Sequence, residues 1–134
     1  MLKTTIGWKL MFRVSTREKA DKAFARANEL LDGKLTLEKS ERYWKIPELW
    51  VCDCSNTFDA ASVAEQIAGC LSLANRLAYS WSVNGPNLGP DGSLESLWGV
   101  FKRDPAAGKL QSLEWASFDF VKAATSGSGT EAST

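Results

Sequence analysis

No histidine occurs among the 134 residues, and that absence removes more chemistry than any residue present supplies. It excludes Ser-His-Asp and Cys-His nucleophilic sites, the commonest general base and most zinc or iron sites. Cys52, Cys54 and Cys70 are the only thiols. Three thiolates are one short of a closed four-cysteine zinc site, and Cys52-Asp53-Cys54 lacks the spacing of a metal knuckle. Cysteines two apart on an extended strand share a face and bridge only with strain. Buried, reduced thiols in a reducing compartment are the natural reading. No metal and no cofactor are expected.

Asp91, Glu95, Asp104, Glu114 and Asp119 cluster in the C-terminal half. Paired carboxylates can serve acid–base catalysis, but acids along the edges of a meander are also simply solvated. The Gly85–Gly92 run has no following Lys-Ser/Thr, and its prolines remove backbone donors that a phosphate cradle needs. It reads as a hairpin loop. No catalytic residue is assigned, and the chain is read as non-enzymatic.

Formal net charge is zero but unevenly spread. Met1–Lys45 carries eleven Lys/Arg against six Asp/Glu, whereas Ile46–Thr134 carries five against ten. A basic face on the first elements and an acidic one on the second half are both compatible with this, and zero overall charge argues against a nucleic-acid partner. The six tryptophans suit either a large aromatic core or an adhesive binding face. Lys9 and Arg13 interrupt any signal-peptide core, and no apolar run reaches membrane-spanning length. The expectation is a cytoplasmic protein without membrane association.

The elements that position these residues follow from periodicity. Thr5–Ser15 alternates, with Ile6, Trp8, Leu10, Phe12 and Val14 on one face, which predicts a half-buried strand. Ser15 and Glu18 have capping-box spacing, so a helix is expected over Arg17–Asp32 with Gly33 as its left-handed cap. Lys34–Lys45 reads as a charged strand near an edge. Leu49–Cys54 follows as a strand, then a helix over Phe58–Leu77 capped by Asn56 or Thr57, in which Gly69 implies a close packing contact. Strands are expected at Ala78–Val83, Leu94–Lys102 and Leu110–Val121, with a loop at Asn84–Ser93 and a turn at Asp104–Gly108.

The predicted class is α+β. A β-α-β-β-α-β (ferredoxin-like) antiparallel sheet carries two helices on one face and is extended by a C-terminal antiparallel β-meander. Residues 1–122 form a single domain and 123–134 a flexible polar tail.

The run Trp81-Ser82-Val83-Asn84-Gly85, with Asp91-Gly92, Leu97-Trp98-Gly99-Val100-Phe101 and Leu113-Glu114-Trp115-Ala116, resembles small bacterial immunity proteins of contact-dependent inhibition and related polymorphic toxin systems. It covers the last third of the chain. The resemblance implies a protein–protein interaction in which the chain binds and neutralises a cognate toxin domain. Inhibitors of nucleases in such systems often present an acidic surface, which points to Asp91, Glu95, Asp104 and Asp119 as partner-binding residues. Trp44 and Trp50 are the candidate aromatic anchors. The competing expectation is a single-stranded RNA-binding or small-ligand-binding ferredoxin-like module, although Leu49–Cys54 lacks the basic-aromatic pattern of RNA-binding sheets.

Overall fold

Strand β1 (Leu2–Arg13) is the seam of the molecule, because it is paired along nearly its whole length on one edge and most of it on the other. The computed structural model describes residues 1–103 and 110–122. Six antiparallel strands form one sheet in the order β2-β3-β1-β6-β5-β4, the others being β2 (Thr36–Arg42), β3 (Leu49–Ala60), β4 (Ser82–Leu88), β5 (Leu94–Lys102) and β6 (Leu113–Val121). The turn expected at Asp104–Gly108 and the tail after Lys122 lie outside the described residues.

This order corrects the ferredoxin-like expectation. That arrangement would set β4, the strand after the second helix, beside β1. Here β6 takes that place and the β5–β6 hairpin is inserted between β1 and β4. The physical reason is visible in the strands. Residues Leu113, Ala116 and Phe118 of β6 are buried, whereas every residue of β4 is exposed. A strand with nothing to bury cannot hold a central place, so β4 is left at the edge. The opposite edge, β2, is guarded by Glu38, Lys39, Glu41 and Arg42.

Helix α1 (Arg17–Leu30) starts at Thr16, whose hydroxyl accepts from the Lys19 amide, rather than at Ser15. Gly33 does adopt positive φ after the helix. Helix α2 (Val63–Leu77) is capped by Ser62 and is one turn and a half shorter than expected. The residues assigned to its start belong instead to β3, which continues to Ala60 in unbroken register with β1, from Arg13↔Leu49 to Leu2↔Ala60. A ladder paired at every position, with Thr4, Thr5, Ile6, Thr57 and Phe58 among its residues, outcompetes a helix turn that has only local bonds. Likewise Trp81 precedes β4, and half of the expected Asn84–Ser93 loop is strand, with the turn confined to Gly89–Ser93.

Both helices cover the same face. Ile6, Trp8, Leu10 and Phe12 of β1, Trp50, Cys52 and Cys54 of β3, and Phe101 and Phe118 of the inserted hairpin pack there against Ala20, Ala27, Cys70, Ala74 and Leu77. The alanines and Cys70 keep the helices close to the sheet. Gly69 makes the close contact its helical position implied: a Cβ there would lie 2.5 Å from the Phe58 ring. Gly99 is tighter. It pairs directly with Phe118, whose ring lies over it, and a Cβ would clash with Phe118 Cε2 and sit 3.0 Å from Cζ. Phe118 is fully buried and has nowhere to go.

Gly99→Ala is therefore expected to destabilise the fold by about 1–3 kcal/mol through overpacking, although alanine inside a strand ordinarily gains stability over glycine. Urea unfolding checks this, and the penalty should shrink in a Phe118→Leu background. A neutral or stabilising Gly99→Ala would place the Phe118 ring elsewhere.

Candidate functional site

The strand alternation that buries one sheet face dictates the other. Reading across paired residues, one row of the uncovered face runs Glu41, Val51, Met11, Trp115, Lys102. The next runs Lys39, Asp53, Lys9, Ser117, Val100, Ser82. A third runs Thr36, Ser55, Gly7, Asp119, Trp98, Asn84. Among the described residues no helix lies over these rows. Val51, Met11, Trp115, Val100 and Trp98 make a diagonal apolar band, with Trp98 still 42% exposed. Lys9, Lys39 and Lys102 against Glu41, Asp53 and Asp119 frame it with balanced charge.

The six tryptophans divide into two sets. Trp8 and Trp50 are buried, Trp81 half-buried, and each indole N–H has an internal acceptor. Trp8 Nε1 donates to Asn56 Oδ1 at 2.7 Å, Trp50 Nε1 to Ser40 Oγ at 2.9 Å, and Trp81 Nε1 to the Ala74 and Ala78 carbonyls at 2.9 and 3.0 Å. Trp44, Trp98 and Trp115 have no such acceptor among the described residues. A buried indole must satisfy its donor, while one that meets a partner can leave it for water or for that partner. Three rings thus serve the core and three stand without an internal acceptor among the described residues.

The residues singled out from sequence do not converge. Trp50 is only 6% exposed and lies between the Arg17 and Arg42 guanidinium groups, 5.2 and 5.0 Å from its ring centre. It packs the fold. Trp44 is 78% exposed on the β2–β3 loop, with Lys45 Nζ 5.1 Å from its ring centre. Asp91 and Glu95 do come together at the β4–β5 turn, both near Gly89. Yet Asp91 Oδ1 accepts from the Ser93 amide and hydroxyl, which pull its pKa below the ordinary carboxylate value, and Glu95 is ion-paired with Lys122. Asp119 sits on the uncovered face beside Trp98. Asp104 lies outside the described residues. Sequence reasoning missed Trp98, Trp115 and Met11. Their signal was present: each stands at the opposite parity from buried neighbours Leu97, Ala116 and Leu10.

The thiols are buried and unbridged. Burial raises the Cys54 pKa from 9.0 to about 12, with like charge on Cys52, Asp53 and Glu38 adding to it. Burial alone takes Cys70 to about 11. Burial also raises Cys52, against a weak hydrogen bond with Ser40. Such thiols are protonated and poor nucleophiles at neutral pH. No group of three or more His, Cys, Asp and Glu side chains among the described residues has the arrangement to hold a metal ion. No helix among them is long and apolar enough to cross a membrane.

Comparison with protein-family models, curated proteins and solved structures yields no match, so function rests on this geometry.

A disulfide reagent at pH 8 should leave all three thiols of the folded chain unmodified and find three after denaturation. Rapid native labelling would contradict their burial. Because the folded pKa values exceed the unfolded ones, the thiol contribution to stability is complete below pH about 9 and is lost as pH rises from 9 through the folded values. Cys54→Ala should therefore flatten part of the alkaline decline in melting temperature.

Proposed function

We propose that this chain is a non-enzymatic binding protein of the immunity type, which holds a cognate toxin domain against the uncovered face of its sheet. The observation that carries the reading is the band of Met11, Trp98, Trp115 and Val100, with two indole donors that have no internal acceptor among the described residues. Tryptophan and methionine are the residue types enriched where proteins meet. Size is consistent too. Six strands about 4.8 Å apart and roughly 30 Å long present on the order of 700–800 Å², close to the ~800 Å² each partner gives to a standard interface.

Charge narrows the class of partner. Within the three rows the three cations and three acids cancel, which disfavours a polyanion such as RNA and suits a protein surface with complementary single charges. Asp119 belongs to this surface and is the acidic residue whose partner-binding role fits the site. Asp91 and Glu95, held by Ser93 and Lys122, stand outside it. Free buried thiols accord with a cytoplasmic setting, where a producing cell would need such protection.

The test is binding to, and growth rescue from, the toxin domain encoded beside this chain. Trp98→Glu and Trp115→Glu should each weaken the complex by at least ~30-fold, the scale of about 2 kcal/mol expected for an aromatic anchor. Both should abolish rescue without changing the melting temperature by more than a few degrees. Lys22→Glu, on the exposed side of α1, should leave affinity unchanged. Retained affinity in both tryptophan variants would remove the uncovered face from the interface.

A further inference from the structure

We infer that the cleft between the end of β1, the first turn of α1 and the β2–β3 loop binds a phosphate group, carried by a free nucleotide-sized ligand or by a single strand of nucleic acid. The cleft has a volume of about 610 Å³ and is lined by Arg13, Val14, Ser15, Lys19, Arg42, Pro47 and Glu48. It shares no residue with the three rows of the uncovered face, although Arg13 borders them, and it is independent of the partner proposed for that face.

Three cations from three different elements line one hollow, against a single carboxylate. Arg42 is pre-oriented there: its guanidinium donates to the Pro47 carbonyl at 2.7 Å and the Ser15 carbonyl at 3.1 Å. Carbonyl oxygens fix its geometry without neutralising its charge, and no carboxylate lies within ion-pair distance of Arg42 or Lys19 among the described residues. Arg13 shares its charge with Glu114 at 3.2 Å. Arg17, bonded to the Ser40 carbonyl and over the same Trp50 ring as Arg42, adds a further cation with no carboxylate at ion-pair distance among the described residues. The positive end of the α1 dipole lies beside Ser15 and Lys19 and acts in the same sense.

Geometry favours phosphate over carboxylate. A carboxylate's acceptor sites lie in one plane, whereas a tetrahedral phosphate takes donors from several directions, as this cleft supplies them. The volume exceeds what one phosphate needs and falls in the range of small-ligand sites. Trp44 stands two residues from Arg42 with its ring largely in water. Trp44 does not line the cleft but shares the β2–β3 loop with Pro47 and Glu48, which do. An exposed indole there gives a base of a single strand a ring to stack on while the strand's backbone meets charge.

The full chain is titrated with inorganic pyrophosphate and, separately, with a single-stranded oligonucleotide of about ten nucleotides, following backbone amides by NMR. The amides of Ser15 to Lys19 and the indole N–H of Trp50, whose ring lies under the Arg42 guanidinium, should shift and saturate. Lys19→Glu should weaken binding at least tenfold, and Glu48→Gln should tighten it about threefold. Both residues are exposed, so neither variant threatens folding. A strand as the natural source predicts oligonucleotide binding more than tenfold tighter than pyrophosphate, lost roughly 20-fold between 50 and 200 mM salt for about three phosphates. A free ligand predicts comparable affinities. The inference is overturned if neither probe shifts these signals, or if affinity ignores both substitutions. It is equally overturned if Lys19→Glu weakens only a protein complex while both phosphate probes fail to bind.

Discussion

Everything in this molecule depends on β1 being hydrogen-bonded on both edges. A strand so enclosed has no freedom in register, and its alternation of Ile6, Trp8, Leu10 and Phe12 with Gly7, Lys9, Met11 and Arg13 is imposed on every neighbour. One face must then be dry and the other must be whatever the intervening residues make it. The helices satisfy the first with alanines and Cys70 at their contact positions, which allow close approach to large side chains on the strands. Trp8 is the clearest product of this arrangement. Its ring packs against Trp81 and Phe118 on the dry face, and its donor is met by buried Asn56.

The same enclosure explains the insertion of a hairpin into the sheet. β1 needs an antiparallel neighbour that can bury one face, and β6 with Leu113, Ala116 and Phe118 meets that need where exposed β4 cannot. The β3–α2–β4 connection therefore carries the chain over to the far edge of the sheet. Widening the sheet from four strands to six also widens the uncovered face, and places Trp98 and Trp115 in it. The topological departure and the candidate binding surface have one cause.

Much of this was legible in the residues. The alternation of β1, the capped α1 with Gly33 behind it, the bounds of β5 and the packing role of Gly69 all follow from local patterns, and local patterns are what sequence displays. What failed was non-local. Whether Asn56–Ala60 continues a strand or starts a helix is decided by pairing with Leu2–Ile6, fifty residues away. Whether β4 or β6 flanks β1 is decided by comparing their buried sides, which requires knowing where the helices lie. The candidate partner-binding residues are scattered for a related reason. Charge directed attention to Asp91 and Glu95, but a turn and Lys122 engage them. Trp50 looked available until its ring was found between two arginines. The parity of Trp98 and Trp115 marks the uncovered face, and it needs no partner strand to be read.

The division of tryptophans into satisfied and unsatisfied donors is the most direct handle on the account. Six indole N–H signals can be followed in a labelled chain as an unlabelled toxin domain is added. The account predicts that the Trp98 and Trp115 signals shift strongly or broaden on complex formation, while Trp8, Trp50 and Trp81, already bonded to Asn56, Ser40 and the Ala74 and Ala78 carbonyls, hold their positions. Unmoved Trp98 and Trp115 signals in a saturated complex would contradict it.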